Sequence, residues 1–233
     1  MAGETRKGNT MRKTVLTILQ AIVFILTILF WQWLLKQSLS PRMNALCILG
    51  TVLLVFPTVW LGRRLLDRNP TPGQVDWVAM VVHAILILLF GVAIVKAVQT
   101  GSTWRGWLIP LPQNIGLVLV WITAAATLLT VANLALRGLG APFAIALSRR
   151  LATDWMYTYT RNPMVLATLA CLLATGLWLQ SALFVAWVLA LVTSAWIAFL
   201  KVFEERELEI RFGESYLAYR AKTPFLLPGK PKA

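Results

Sequence analysis

The sequence predicts an all-α, polytopic transmembrane bundle of about six apolar helices, and three observations carry that prediction. Apolar residues make up 58% of the 233-residue chain and charged residues 13%, where soluble domains hold roughly 45–50% and about 25%. The apolar residues fall into six long runs rather than alternating with polar ones. The charges gather in the connections on alternate sides of those runs. One His and two Cys leave too few ligands for a His/Cys metal site or a disulfide framework.

The runs cover residues 14–35, 45–61, 77–95, 115–136, 164–179 and 182–200. A spanning helix needs about 20 residues, within a range of roughly 17–25. The first run is long for the apolar stretch of a cleavable signal and reads as a retained helix. Pro57 lies inside the second, so neighbouring helices have to satisfy a freed carbonyl there. The third and fourth are of ordinary length. The fifth is short, and only Gln180-Ser181 separates it from the sixth, which reads as a tight helical hairpin. A cytoplasmic amphipathic helix and a tail are expected after the sixth.

With the N-terminus placed in the cytoplasm, 18 of the 22 Lys and Arg residues fall on the inner side, leaving Lys36, Arg42, Lys96 and Arg105 outside. That asymmetry predicts both termini inside. The acidic residues also fall inside: Glu4, Asp67, Asp76, Asp154 and five glutamates between 204 and 214. Acidic residues contribute little to orientation, so their clustering marks the inner face as the place for chemistry. The net charge of +13 is then topology plus attraction to anionic membrane lipid, and nucleic acid is not expected as a partner. Trp31, Trp33, Trp60, Trp77, Trp104, Trp107 and Trp178 fall where helix ends meet headgroups. Trp121 and Trp187 read instead as packing residues, as do Cys47 and Cys171. His83, Gln20 and Asn133 read as interhelical hydrogen-bonding residues.

Three segments can carry chemistry. Gly138-Leu-Gly140-Ala-Pro142 follows the fourth run, and its glycines permit either a close backbone approach to a ligand or an ordinary helix end. Tyr157-Thr-Tyr-Thr-Arg161-Asn162-Pro163 leads into the hairpin, with Pro163 suited to a first helical turn and Asn162 to its N-cap. Arg161 beside that helix start suits a carboxylate or phosphate, or simply snorkels to the surface. The third segment, Glu204-Glu205-Arg-Glu207-Leu-Glu209-Ile-Arg211-Phe-Gly213, continues through Tyr216 and Tyr219 to Lys222-Thr-Pro224. Glu207 and Arg211 form an i,i+4 pair, Phe212-Gly213 ends the helix, and most of the glutamates read as the solvated face of a surface helix.

Together these segments resemble the isoprenylcysteine carboxyl methyltransferase and phospholipid methyltransferase superfamily of integral membrane enzymes. The resemblance covers residues 138–228 and rests on the Gly-x-Gly turn, the Arg-Asn-Pro turn before a hairpin, and Glu-Glu-x-x-Leu-x-x-x-Phe-Gly-x-x-Tyr-x-x-Tyr. It divides the chain into four N-terminal helices, 1–136, and a cofactor-binding region with the hairpin, 137–233. It implies S-adenosylmethionine as methyl donor, entering from the cytoplasm, and a hydrophobic or lipid-like acceptor reached through the bilayer. It implies Gly138, Gly140, Tyr157, Arg161, Asn162, Pro163, Glu204 and Glu205 at the cofactor, and Tyr216, Tyr219 and Lys222 on the acceptor side or ordering the loop. No catalytic acid, base or metal is implied. Trp155-Met156 stands where relatives commonly carry Gly-Pro, Val165 and Ala167 where they carry Tyr and Gly, and Lys222 where they carry Arg. Two other functions share the fold: a non-catalytic membrane scaffold, and an NADPH-dependent sterol-type reductase.

Overall fold

The computed structural model describes residues 2–68, 70–101, 107–138 and 151–230; the side chains of 2–13, 16, 20, 72, 137 and 138 fall outside it, and with them Gln20. Its helices are α1 (Ala2–Leu35), α2 (Pro41–Arg68), α3 (Pro72–Gly101), α4 (Gln113–Gly138), α5 (Met156–Tyr159), α6 (Pro163–Trp178), α7 (Ala182–Phe212) and α8 (Glu214–Lys222). Every apolar run of the sequence is a helix. Five helices are long and apolar enough to cross a membrane, while α6 is the shorter apolar one. The chain is an integral membrane helical bundle.

Helix ends follow their sequence signals. Ser40 accepts a hydrogen bond from the Met43 amide ahead of Pro41, which opens α2. The hairpin turn closes α6 by a paired backbone cap: Ser181 N–H donates to Gly176 O and Gln180 N–H to Leu177 O. Gln180 takes the left-handed position, φ 54, that glycine usually fills, and its side chain reaches Leu111 O at 2.7 Å. Ser181 then accepts from Phe184 N to start α7.

The core lies between α2, α3 and α7. Val52, Val55, Val59 and Leu66 of α2 meet Val75, Ala79, Val82, Leu86 and Phe90 of α3, and Val188, Val192, Ala195, Phe199 and Phe203 of α7. Each set recurs at three or four residues, which keeps it on one helical face. Phe90 stacks on Trp196 at 4.8 Å, and Phe199 stacks on Phe203. His83 presents its edge to Phe199, and its Nδ1 lies 2.7 Å from Ala79 O of its own helix. That replaces the expected interhelical hydrogen bond; across the seam on α7 it meets the rings of Phe199 and Phe203, with Glu207 near enough to interact by charge alone.

Two long helices contain wider π turns. In α2 the turn is Leu46–Gly50; in α7 there are two, Val188–Val192 and Phe199–Glu204. Such turns leave carbonyls for other donors. Thr193 Oγ bonds Val188 O, and Arg63 of α2 reaches Val202 O. Helix α7 therefore runs without a break from the hairpin through the glutamates. The expected separate surface helix is instead the end of a spanning one.

Lys96, placed outside by the charge count, is a fully buried residue within α3. Its ammonium donates to Leu34 O, Gln37 O and Gln99 Oε1, each at 2.8 Å, and so caps the C-terminal end of α1. Helix α4 packs along α6. The two run antiparallel: a Cβ on Gly116, near the start of α4, would lie 2.5 Å from Trp178 Cα at the end of α6. Trp121 is 70% exposed on the outer side of α4, so it faces the lipid region rather than packing within the chain. Asn133 of the same helix is 3% exposed, and neither of its amide atoms has a hydrogen-bond partner among the described residues. The interhelical bond expected of it is absent.

Candidate functional site

The second and third chemistry-bearing segments come together at one end of the bundle. Gly213, at φ 53 and ψ −132, ends α7 with a backbone that side chains avoid, and α8 begins at once. Tyr216 is thereby 2% exposed, with Tyr219 beside it. Tyr219 donates its hydroxyl hydrogen to Tyr157 O at 2.7 Å. The tail beyond α8 then runs along residues 159–162. Arg161 N–H donates to Pro224 O, Thr160 Oγ to Leu226 O, Asn162 Nδ2 to Phe225 O, and Gly229 N–H to Tyr159 O.

These bonds settle the placement of several predicted residues. Asn162 precedes α6, with Pro163 in its first turn, but makes no side-chain cap. The expected cap is lost because its amide holds the tail carbonyl of Phe225. Tyr157 is buried within α5. Lys222 is exposed in the last turn of α8 and pairs with none of the described carboxylates. Gly138 is the final residue of α4; Gly140 lies outside the described residues.

Arg161 is the centre of the cluster. Its side chain is 9% exposed, and Nη1 lies 2.9 Å from Glu205 Oε1. That approach is not aligned as a hydrogen bond, so Nε and Nη1 both retain unused donor capacity. The guanidinium lies 5.4 Å from the Phe225 ring centre and beside the Tyr216 hydroxyl. Glu205 is shared further, with Lys201 at 3.3 Å and Arg220 at 3.9 Å.

The adjacent glutamates have opposite surroundings. Glu205 faces three cations, whereas Glu204, one residue earlier at the end of the π turn, faces none among the described residues. Its charged neighbours are the carboxylates of Glu207 and Glu205. Glu207 is 4% exposed and pairs with Arg211, which also reaches Asp76 of α3. The i,i+4 pair thus forms as expected, but it is buried in the bundle rather than solvated. Asp67 of α2 bridges Arg63 and Arg206; Arg206 meets Glu209, and Glu209 meets Arg220. A chain of ion pairs therefore connects α2, α7 and α8 to Arg161.

Burial pushes the hydroxyls of Tyr157, Tyr216 and Tyr219 above their ordinary range. Nearby carboxylates add to this, Glu204 at Tyr157 and Glu205 at Tyr216, while Arg161 opposes it at Tyr216 and Tyr219. All three stay neutral through the physiological range and act as hydrogen-bond donors, not as anions. Trp155 sits at φ 56 and ψ −121, a backbone that glycine takes more easily, with its side chain 64% exposed.

Sequence reasoning missed the tail as a structural part of the site. Phe225 touches Arg161, Asn162 and Lys201 by its ring or carbonyl; only the Pro224 that precedes it signalled a turn. It also missed the roles of Asp67, Lys201 and Arg220, which no local pattern links to Glu205.

Residues 112–215 are similar to the phospholipid methyltransferase family. The match takes in α4, the first two motif-bearing segments and the third as far as residue 215. No curated protein matches. No solved structure matches either.

Proposed function

We propose that the protein transfers the methyl group of S-adenosylmethionine to a hydrophobic, lipid-like acceptor that arrives through the bilayer. The observation that carries this reading is the pairing of a buried Arg161, with unused donors, and a Glu204 with no cation beside it among the described residues. The cofactor's methionine end is a zwitterion, and it needs one group of each kind. The residues present therefore fit it: Arg161 for the carboxylate, Glu204 for groups that only donate hydrogen bonds.

When bound, the cofactor supplies an activated methyl on a sulfonium, transferred by in-line displacement. Such a reaction asks the protein for positioning and charge management more than for acid–base groups. Arg161 anchors the carboxylate, aided by the amide dipoles at the start of α6 behind Pro163. Glu205 holds the guanidinium in place from one side, and Tyr216 offers a neutral donor beside it. Tyr157 and Tyr219 fasten α5 to α8 and keep the cluster closed. Gly138, the last residue of α4, has no side chain to keep a ligand from the backbone. The cluster faces the cytoplasm with both termini, on the strength of the basic asymmetry.

The test is calorimetry on purified protein in nanodiscs, with S-adenosylhomocysteine and NADPH in parallel. Saturable uptake of S-adenosylhomocysteine is expected. Uptake of NADPH alone would move the protein to the reductases, and uptake of neither to the scaffolds. Cysteines introduced between 37 and 41 should label from outside; labelling of cysteines at 151–162 from outside would reverse the orientation.

A further inference from the structure

Asn133 carries an inference that builds on the cofactor reading above. The buried and half-buried positions of α4 include Gly116, Leu119, Thr123, Ala126, Thr130 and Asn133. They alternate at three and four residues, the spacing of a continuous seam between two helices. The contact of Gly116 with Trp178 shows that the seam faces α6. Asn133 lies 17 positions beyond Gly116, about 26 Å along the helix at 1.5 Å per residue. Counting back equally from Trp178 along the antiparallel α6 arrives at Arg161, just before Pro163. Asn133 thus stands at the level of Arg161, at the same end of the bundle.

The threonines of this seam are satisfied within α4: Thr123 bonds Leu119 O and Thr130 bonds Thr127 O. Asn133 is not, on either its donor or its acceptor side. A buried amide with both groups unmade is destabilising, and in a membrane protein a polar side chain at such a place marks function by default. The chemistry of the cofactor narrows the partner. Its carboxylate only accepts, which suits Arg161; its ammonium only donates, which suits Glu204. An amide offers a donor and an acceptor side by side in one plane, and the matching edge is adenine's amino group beside a ring nitrogen.

We infer that Asn133 reads the adenine edge of the cofactor across the α4–α6 seam. The test compares two ligands by calorimetry: S-adenosylhomocysteine and its analogue with hydrogen in place of the 6-amino group. Wild-type protein should prefer the amino form by about 10-fold or more. Asn133→Ala should lose about 10- to 100-fold in affinity for S-adenosylhomocysteine and bind both ligands alike. The ligand-free thermal midpoint of Asn133→Ala and Asn133→Leu should hold or rise, because an unpaired amide is removed; a fall would mark Asn133 as structural and overturn the assignment. An unchanged preference for the amino form in Asn133→Ala overturns this assignment alone. Failure of wild-type protein to bind S-adenosylhomocysteine overturns the methyltransferase reading, and this inference with it.

Discussion

The seam between α3 and α7 and the seam between α4 and α6 are both helix–helix contacts, yet they are built for different ends. The first is filled by Val82, Leu86, Phe90, Trp196, Phe199 and Phe203, with His83 turned back to its own helix. The second begins at a backbone contact of Gly116 and ends in Asn133, buried with its amide unpaired among the described residues. Inside a bilayer, packing rather than water exclusion holds helices together. A seam filled with rings maximises such packing; a seam that ends in unmade hydrogen bonds holds back capacity for a ligand. The same division recurs at single-residue scale, where Glu205 is enclosed by cations and Glu204 is not.

The strongest way to break this comparison is to attack the filled seam. A Cβ on Gly62 would sit 2.7 Å from Val82 and 2.9 Å from the Phe203 ring. Gly62→Leu is expected to cost about 3 kcal/mol or more by overpacking, read as a large fall in thermal midpoint. The protein that still folds should keep its affinity for S-adenosylhomocysteine.

Glu205→Gln should be next, losing about 3 kcal/mol of stability because Arg161 is left buried without its ion-pair partner. Its affinity for S-adenosylhomocysteine should change little, since Glu205 positions Arg161 rather than contacting ligand. Arg161→Ala should do the reverse and weaken binding by roughly 100-fold, about 3 kcal/mol for charged hydrogen bonds. Arg161→Lys should recover part of that, as it keeps the charge but not the planar fork. Full affinity in Arg161→Ala would place the carboxylate elsewhere.

Glu204→Gln sharpens the contrast at smaller amplitude. It should weaken binding by about 10-fold, near 1.4 kcal/mol, while stability holds, because no ion pair among the described residues is broken. Equal behaviour of Glu204→Gln and Glu205→Gln in both measurements would erase the distinction between them. The smallest effect belongs to Trp155→Gly, which should raise the thermal midpoint by relieving about 1 kcal/mol of backbone strain at φ 56. A fall would show that the indole contributes more than its backbone costs.

The six apolar runs, the hairpin at Gln180-Ser181, the helix end at Gly213 and the Glu207–Arg211 pair were legible because each rests on local chemistry. Length and hydropathy make a span, a glycine permits an unusual φ, and four residues bring two charges to one face. The C-terminal motif was legible for a related reason: its spacing encodes one continuous stretch of chain that turns once. The surface-helix expectation failed because it depended on where a span ends; Lys96, just past the third apolar run, is drawn inside its helix because its ammonium finds three acceptors.

By itself, then, the sequence determined a helical membrane protein, the order of its helices and the short segments able to hold a charged ligand. Tertiary structure alone decided which of two neighbouring glutamates is compensated, that Asn162 clasps the tail instead of capping α6, and that Asn133 is buried with its amide unpaired among the described residues. The physical reason is range. Helix formation and turns depend on neighbours within about four residues. The state of a buried charge or amide depends on every group within a few ångströms, and here those groups come from α2, α4, α6, α7, α8 and the tail.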